Sequence, residues 1–195
     1  MTLSRRSALL MLAALPAACA SPDPVLYVLA PVPGPVRSGA PRAIQLRTVG
    51  VPHYLERSQI VRSSEGYRMD VLSNDWWGEP VGAMIGRILA QDLAQRLTGS
   101  SVYADNGAIS TPPDATVETD LQRFDLDRDG ALRLAAQIAV DGRQAVADSF
   151  TVAVRPTDAT TRSLVAAMSV ATGQLADRMA AMLAETPPPR RTRSP

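Results

Sequence analysis

The chain has 195 residues, 46% of them hydrophobic, and a formal net charge of +1. That is the length of one domain with enough apolar material for a core, which excludes a disordered chain. All 20 cationic side chains are arginines; Arg5 and Arg6 stand near the start and Arg190, Arg191 and Arg193 near the end, leaving 15 against 19 acids in the body, a balance that excludes an electrostatic footprint for nucleic acid.

In chain order, Arg5-Arg6 precede an apolar run from Ala8 to Leu15, and Pro16-Ala17-Ala18-Cys19 follows. A charged start, an apolar centre and small residues at a cut site are the layout of an export signal. The run is far shorter than the roughly 20 residues of a membrane span, so residues 1–18 read as a leader that is removed. Cys19 is the only cysteine and has no disulfide partner within the chain. Ala17-Ala18-Cys19 resembles the last three positions of the lipobox of bacterial lipoproteins, with Pro16 where that motif usually has Leu. In that reading Cys19 becomes the first mature residue, carrying diacylglycerol on its sulfur and an acyl chain on its new N-terminus. The other reading is ordinary signal cleavage, for instance after Ala18-Cys19-Ala20. No other stretch is apolar and long enough to span a bilayer.

Residues 19–24 form a short tether. Val25 to Leu29 is rich in β-formers and reads as a strand. Four prolines between Pro31 and Pro41 mark a semi-extended loop. Ile44 to Val51 alternates, with Ile44, Leu46 and Thr48 on one face, and predicts a half-buried strand. Ser58–Ser63 and Tyr67–Leu72 predict a hairpin turning at Ser64-Glu65-Gly66. Glu79-Pro80 opens a helix whose stripe is Val81, Met84, Ile85, Ile88, Leu89, Leu93 and Leu97, with Gly99 as its stop. Ser101–Ala104 reads as a short strand. Val117–Leu126, Leu132–Val140 and Val146–Val154 read as an antiparallel meander turning at Asp127–Gly130 and Asp141–Arg143. Asp158 is the expected cap of a last helix with the seam Leu164, Met168, Ala171, Leu175, Met179 and Met182. Residues 185–195 read as a disordered Pro/Arg tail. Strands, helix, strands, helix in one domain predict an α+β fold: an antiparallel or mixed sheet with two amphipathic helices on one face.

Residues with chemical potential are sparse. Asp125-Leu-Asp127-Arg-Asp129-Gly130 matches the start of a calcium loop, but its twelfth position is Ala136 rather than glutamate and its flanks read as strands, so a hairpin turn is expected. His53, the single histidine, has no nucleophile or carboxylate placed beside it by a catalytic motif and reads as a partly exposed loop residue. No nucleophile elbow, phosphate loop or zinc spacing occurs, so no catalytic residue and no metal site is assigned. Asp148 interrupts an apolar strand face and calls for a partner, an arginine of a neighbouring strand being the simplest. The adjacent indoles Trp76 and Trp77 leave two possibilities: one under the helix and one at a partner surface, or both on the rim of the core.

Three segments together resemble one family. Pro52-His53-Tyr54-Leu55-Glu56-Arg57-Ser58-Gln59-Ile60-Val61 is similar to its P-x-Y-L-D-R-P-Q-I-V segment, with Glu56 for aspartate and Ser58 for proline. Trp77-Gly78-Glu79-Pro80-Val81 is similar to its W-A-E-P-L segment, and Leu26-Tyr27-Val28-Leu29 to its Y-Y-x-L opening. The family is that of the ABC-type transport auxiliary lipoproteins, PqiC-like proteins, and the resemblance makes residues 25–184 its domain. It implies a non-enzymatic, cofactor-free, periplasm-facing lipoprotein that accompanies an MCE-type lipid transport system between the inner and outer membranes. Its implied partners are the MCE-domain transporter, a membrane through acylated Cys19, and further copies of itself in a homo-oligomeric ring. Ala20, where aspartate would retain a lipoprotein in the inner membrane, favours the periplasmic face of the outer membrane. The candidate partner contacts are Tyr54, Leu55, Arg57, Gln59, Ile60, Trp76, Trp77 and Glu79. A stand-alone lipid carrier with its own apolar cavity is the competing expectation.

Overall fold

A computed structural model describes residues 23–64, 66–105, 111–142 and 145–185. The expectations for the leader, Cys19, most of the tether, the tail beyond Glu185, Glu65 and Arg143 lie outside these residues. One eight-stranded mixed sheet carries two helices on one face. The strands are β1 (Val25–Tyr27), β2 (Ala43–Leu46), β3 (Gln59–Ser63), β4 (Asp70–Trp77), β5 (Ser101–Ala104), β6 (Ala115–Leu126), β7 (Leu132–Asp141) and β8 (Val146–Val154); the helices are α1 (Val81–Arg96) and α2 (Thr161–Glu185).

β6 organises the sheet. Along one side it pairs antiparallel with β7, which pairs antiparallel with β8, giving the expected meander. Its other side is shared: β2 lies parallel to its start and β3 touches its end at Ser63–Leu126. Beyond β2 lies β5, and beyond β3 lie β4 and then β1, the β1–β4, β2–β5, β2–β6 and β3–β6 pairs all being parallel. The first half is therefore mixed rather than a meander: β3 and β4 pair antiparallel as the expected hairpin, while the loop 28–42 and α1 act as crossovers that bring the other strands in parallel.

Periodicity explains the core. Every residue of the α1 stripe and of the α2 seam is buried, as are Leu132, Leu134, Ala136, Ile138 and Val140 of β7. In β6 the odd positions from Ala115 to Leu121 face inward, until an irregularity at Gln122 changes the phase and sends Phe124 into the core. No described helix is long and apolar enough to cross a membrane.

Several local expectations need correction. The strand read over Ile44–Val51 ends at Leu46; Thr48 is exposed and Val49 is buried instead. Beyond Leu46 the chain holds β6 through isolated bonds (Arg47 N–H to Val117 O, 2.9 Å, and Gly50 N–H to Thr119 O, 2.9 Å), which break the alternation. A Cβ at Gly50 would meet the exposed Asp120 carboxylate, which would have to swing aside. The second hairpin strand begins at Asp70 and runs through both tryptophans. The cap of α2 is Thr160, whose Oγ1 accepts from Ser163 N–H (3.2 Å), while Asp158 accepts from Thr160 two residues further upstream. Asp148 does meet an arginine, but it is Arg178 of α2 at 2.6 Å rather than one from a strand. That bond holds its carboxyl below the usual range.

Candidate functional site

The chain leaves β6 at Gly50 and rejoins it at Ser63. The intervening segment contains a 3-10 turn at His53–Leu55. Its departure from the sheet opens a groove of about 1050 Å3 against the outer face of α1 and the end of β5. Val49, Val51, Trp77, Val81, Gly82 and Ala90 contribute apolar surface; Arg47, Glu56, Arg57, Glu79, Arg87 and Asp105 supply the polar lining. Glu79, just before α1, pairs with Arg87 eight residues further along the chain. Arg47 pairs with Glu118 at 3.4 Å, and Asp105 accepts from Gln45 at 3.2 Å. The surface is thus an apolar floor with a mixed-charge rim.

The wall is pinned from behind. Asp125 is fully buried in β6, and its carboxylate accepts from Tyr54 OH (3.0 Å), Ser64 Oγ (2.5 Å) and Arg123 Nε (2.8 Å). One carboxylate thereby joins the 3-10 turn, the end of β3 and β6. Burial, reinforced by the Asp125 charge, pushes the Tyr54 phenol up to about 12. A proton held this tightly keeps Tyr54 a donor throughout the physiological range. The expected result is that the absorbance difference near 295 nm between wild type and Tyr54→Phe emerges only around pH 12, and a difference already complete near pH 10 would contradict the buried pairing. Because the folded value lies above the unfolded one of 10, this contribution to stability is complete below pH 10 and is lost as the pH rises through about 12.

The eight candidate contacts divide by burial. Leu55, Ile60 and Trp77 are core residues at 3%, 0% and 7% exposure, so they hold the segment in place rather than offer a surface, although Trp77 also lines the groove. Arg57 is exposed and Glu79 half-buried, and both line the groove; Tyr54 and Gln59 are half-buried outside it. Trp76 points to the opposite side of β4 from Trp77, is half-buried, and donates Nε1–H to Ser73 O at 3.1 Å. The groove therefore unites Arg57, Trp77 and Glu79 and excludes Trp76. Val51, Ala90 and Asp105 were not indicated by the sequence; only the departure of the chain from β6 assembles them.

His53 is exposed, with Nδ1 2.5 Å from Glu56 Oε2. Asp125, Asp127 and Asp129 serve Tyr54 and arginines at the β6–β7 turn: Arg133 meets Asp127 at 2.7 Å, and Arg155 meets Asp129 at 3.5 Å. Among the described residues no three His, Cys, Asp or Glu side chains are grouped to hold a metal.

The family model described as ABC-type transport auxiliary lipoprotein component matches residues 27–180. No curated protein sequence matches the chain. Among solved structures, an uncharacterized protein aligns with TM-score 0.71 and 17% identity over 83% of this chain and 99% of its own. A Xanthomonas campestris protein of family DUF330 aligns with TM-score 0.67 and 15% identity over 82% and 94%. These two likenesses establish the shared fold. PelC of Paraburkholderia phytofirmans, solved as a dodecamer, aligns at TM-score 0.45 and 13% identity over 80% and 96%.

Proposed function

The chain belongs to the ABC-type transport auxiliary lipoprotein family, and from that premise we propose that it is a non-enzymatic, periplasm-facing component of an MCE-type, ABC-linked lipid transport system between the inner and outer membranes, where it contributes to envelope integrity by docking to the MCE-domain partner. The family match over residues 27–180 is the observation that carries this reading. Cys19, bearing diacylglycerol and an N-acyl chain, anchors the domain, with Ala20 favouring the outer membrane. Several buried acyl chains at about 0.8 kcal/mol per methylene make such an anchor effectively permanent. The groove offers the MCE partner an apolar floor and a charged rim at Arg57 and Glu79, and identical copies close into a ring. The work is positioning and binding.

The test is affinity capture with the intact lipoprotein from its own envelope. Co-enrichment of an MCE-domain protein is expected, and capture without it would overturn the docking reading. The groove's volume and apolar floor also favour a second reading, a direct lipid carrier. A soluble form lacking Cys19 that purifies with phospholipid at near one-to-one ratio would establish that alternative.

A further inference from the structure

Tyr67 is the most exposed large hydrophobic residue among those described, and its backbone is left-handed at φ 64°, directly after Gly66 at φ 65°. A bulky aromatic in that region is strained, and strain of this kind persists where something else is served. Met69, two residues on, is also exposed. Arg68 and Asp70 flank them in the open, and Arg128 and Asp129 stand exposed on the neighbouring β6–β7 turn, since Ser63 at the end of β3 pairs with Leu126 at the end of β6. The β3–β4 hairpin thus lifts a tyrosine and a methionine out of a charged end of the domain.

The chain's own direction says what lies there. β1 runs parallel to β4, with Val25 beside Asp75, and Asp23 O accepts from Asn74 Nδ2 at 3.3 Å. Upstream of Val25, the chain is therefore aimed along β4 toward its beginning at Asp70, which is the hairpin tip. From Asn74 to Asp70 is about 13 Å of strand. From Asp23 back to Cys19 is four residue steps, which span at most about 14 Å. Asp23 thus points the chain toward the hairpin tip, and four residue steps are long enough for Cys19 to reach the level of Tyr67–Met69.

The geometry points to the β3–β4 tip as a second, non-covalent contact with the lipid surface that holds Cys19, with the Tyr67 ring and Met69 at the headgroup level and Arg68 at the phosphates. Tyrosine is enriched at that depth because its ring is apolar and its hydroxyl wet. One fatty anchor leaves a domain free to tumble; a second contact fixes which way the sheet and groove face. The inference rests on the acylation of Cys19 proposed above.

The test uses the full lipoprotein carrying Met69→Cys, reconstituted in phosphatidylethanolamine–phosphatidylglycerol vesicles that contain doxyl-labelled phospholipid. An acylated Cys19 is a thioether, so the introduced thiol takes a bimane label alone. The same label at Val146→Cys, on the β8 end far from the tip, is the control. Quenching by the doxyl lipid at Met69→Cys, absent at Val146→Cys and reduced by adding Tyr67→Ser, is the expected result. Vesicle-bound protein whose tip label is quenched by aqueous iodide as readily as in detergent-free solution of a form lacking Cys19 overturns the tip contact alone. Shielding from iodide without doxyl quenching assigns the tip to a protein contact and also overturns it. Failure of the chain to float with vesicles at all overturns the acylation reading, and this inference with it.

Discussion

Arg96→Met is expected to cost about 3–5 kcal/mol of stability, the range for breaking a buried ion pair by removing one partner. Arg96 is 1% exposed at the end of α1. Its Nε donates to Asp177 Oδ1 (2.5 Å), Nη1 to Asp92 O (3.0 Å), and Nη2 to Gly173 O (3.1 Å), joining α1 to α2. Asp92, wholly buried, accepts the Val32 N–H at 2.9 Å and lies 3.5 Å from the guanidinium, so the proline-rich loop is tied to the same point. The loop closes tightly there: a Cβ on Gly34 would fall on the guanidinium, which is itself held from three sides. Methionine fills the space but leaves the Asp92 charge without its cation, and Asp92 Oδ2 already has no hydrogen-bond partner among the described residues.

The sign of the pH dependence follows. Burial pushes Asp92 above its usual 3.8, against the lowering by the Val32 N–H and Arg96. Removing Arg96 raises it further, so the folded variant holds a proton that the unfolded chain releases. Stability of Arg96→Met then rises relative to wild type as pH falls from 7, and levels off below the unfolded value of about 3.8. Urea denaturation across that range checks both statements. A variant within about 1 kcal/mol of wild type at pH 7 would show that the cluster does not hold the helices and the loop together.

Arg96 also marks what the sequence concealed. Its phase is the apolar one: Ile85, Ile88 or Leu89, Asp92 and Arg96 follow at steps of three and four. The signal was legible as two polar residues in a buried stripe, but a charged side chain is ordinarily assigned to water, and its partners Asp177 and Gly173 are some 80 residues away. Asp125 was hidden differently. It stood inside an apparent calcium loop, and its burial depends on the phase change at Gln122, which periodicity does not foresee. By contrast the α1 stripe, the α2 seam and β7 were legible because each repeats one period over many residues. The predicted strand over Ile44–Val51 holds as far as Leu46, with Ile44 and Leu46 inward, and fails beyond it because Val49 and Thr48 exchange faces once hydrogen bonding to β6 becomes intermittent. For the groove, the segments around Arg57 and Trp77–Glu79 were legible from resemblance, and the cavity between them was not, since it arises from a chain leaving a sheet.

The double substitution Ala83→Arg with Ala90→Arg is expected to abolish capture of the transport partner while leaving the fold intact. Ala83 is exposed and Ala90 half-buried; seven residues apart, they lie on the same face of α1, and both line the groove. Arginine is nearly as good a helix former as alanine, so the cost to stability is about 0.5 kcal/mol or less. Two guanidinium groups would place charge over the apolar floor beside Val51 and Trp77, and would confront any apolar surface of a partner with desolvation of unpaired cations. A loss of tenfold or more in affinity corresponds to only about 1.4 kcal/mol, well within that penalty. Ala166→Arg, on the exposed face of α2, adds the same charge away from the groove and is expected to leave capture unchanged. Equal loss from both variants would mean that net charge governs association. No loss from the double variant would move the docking surface off α1, toward the opposite side of β4, where Trp76 pairs in register with exposed Leu26. The distinction is sharp because Trp76 and Trp77, adjacent in sequence, belong to opposite faces of one strand, and a partner that reads one of them does not reach the other.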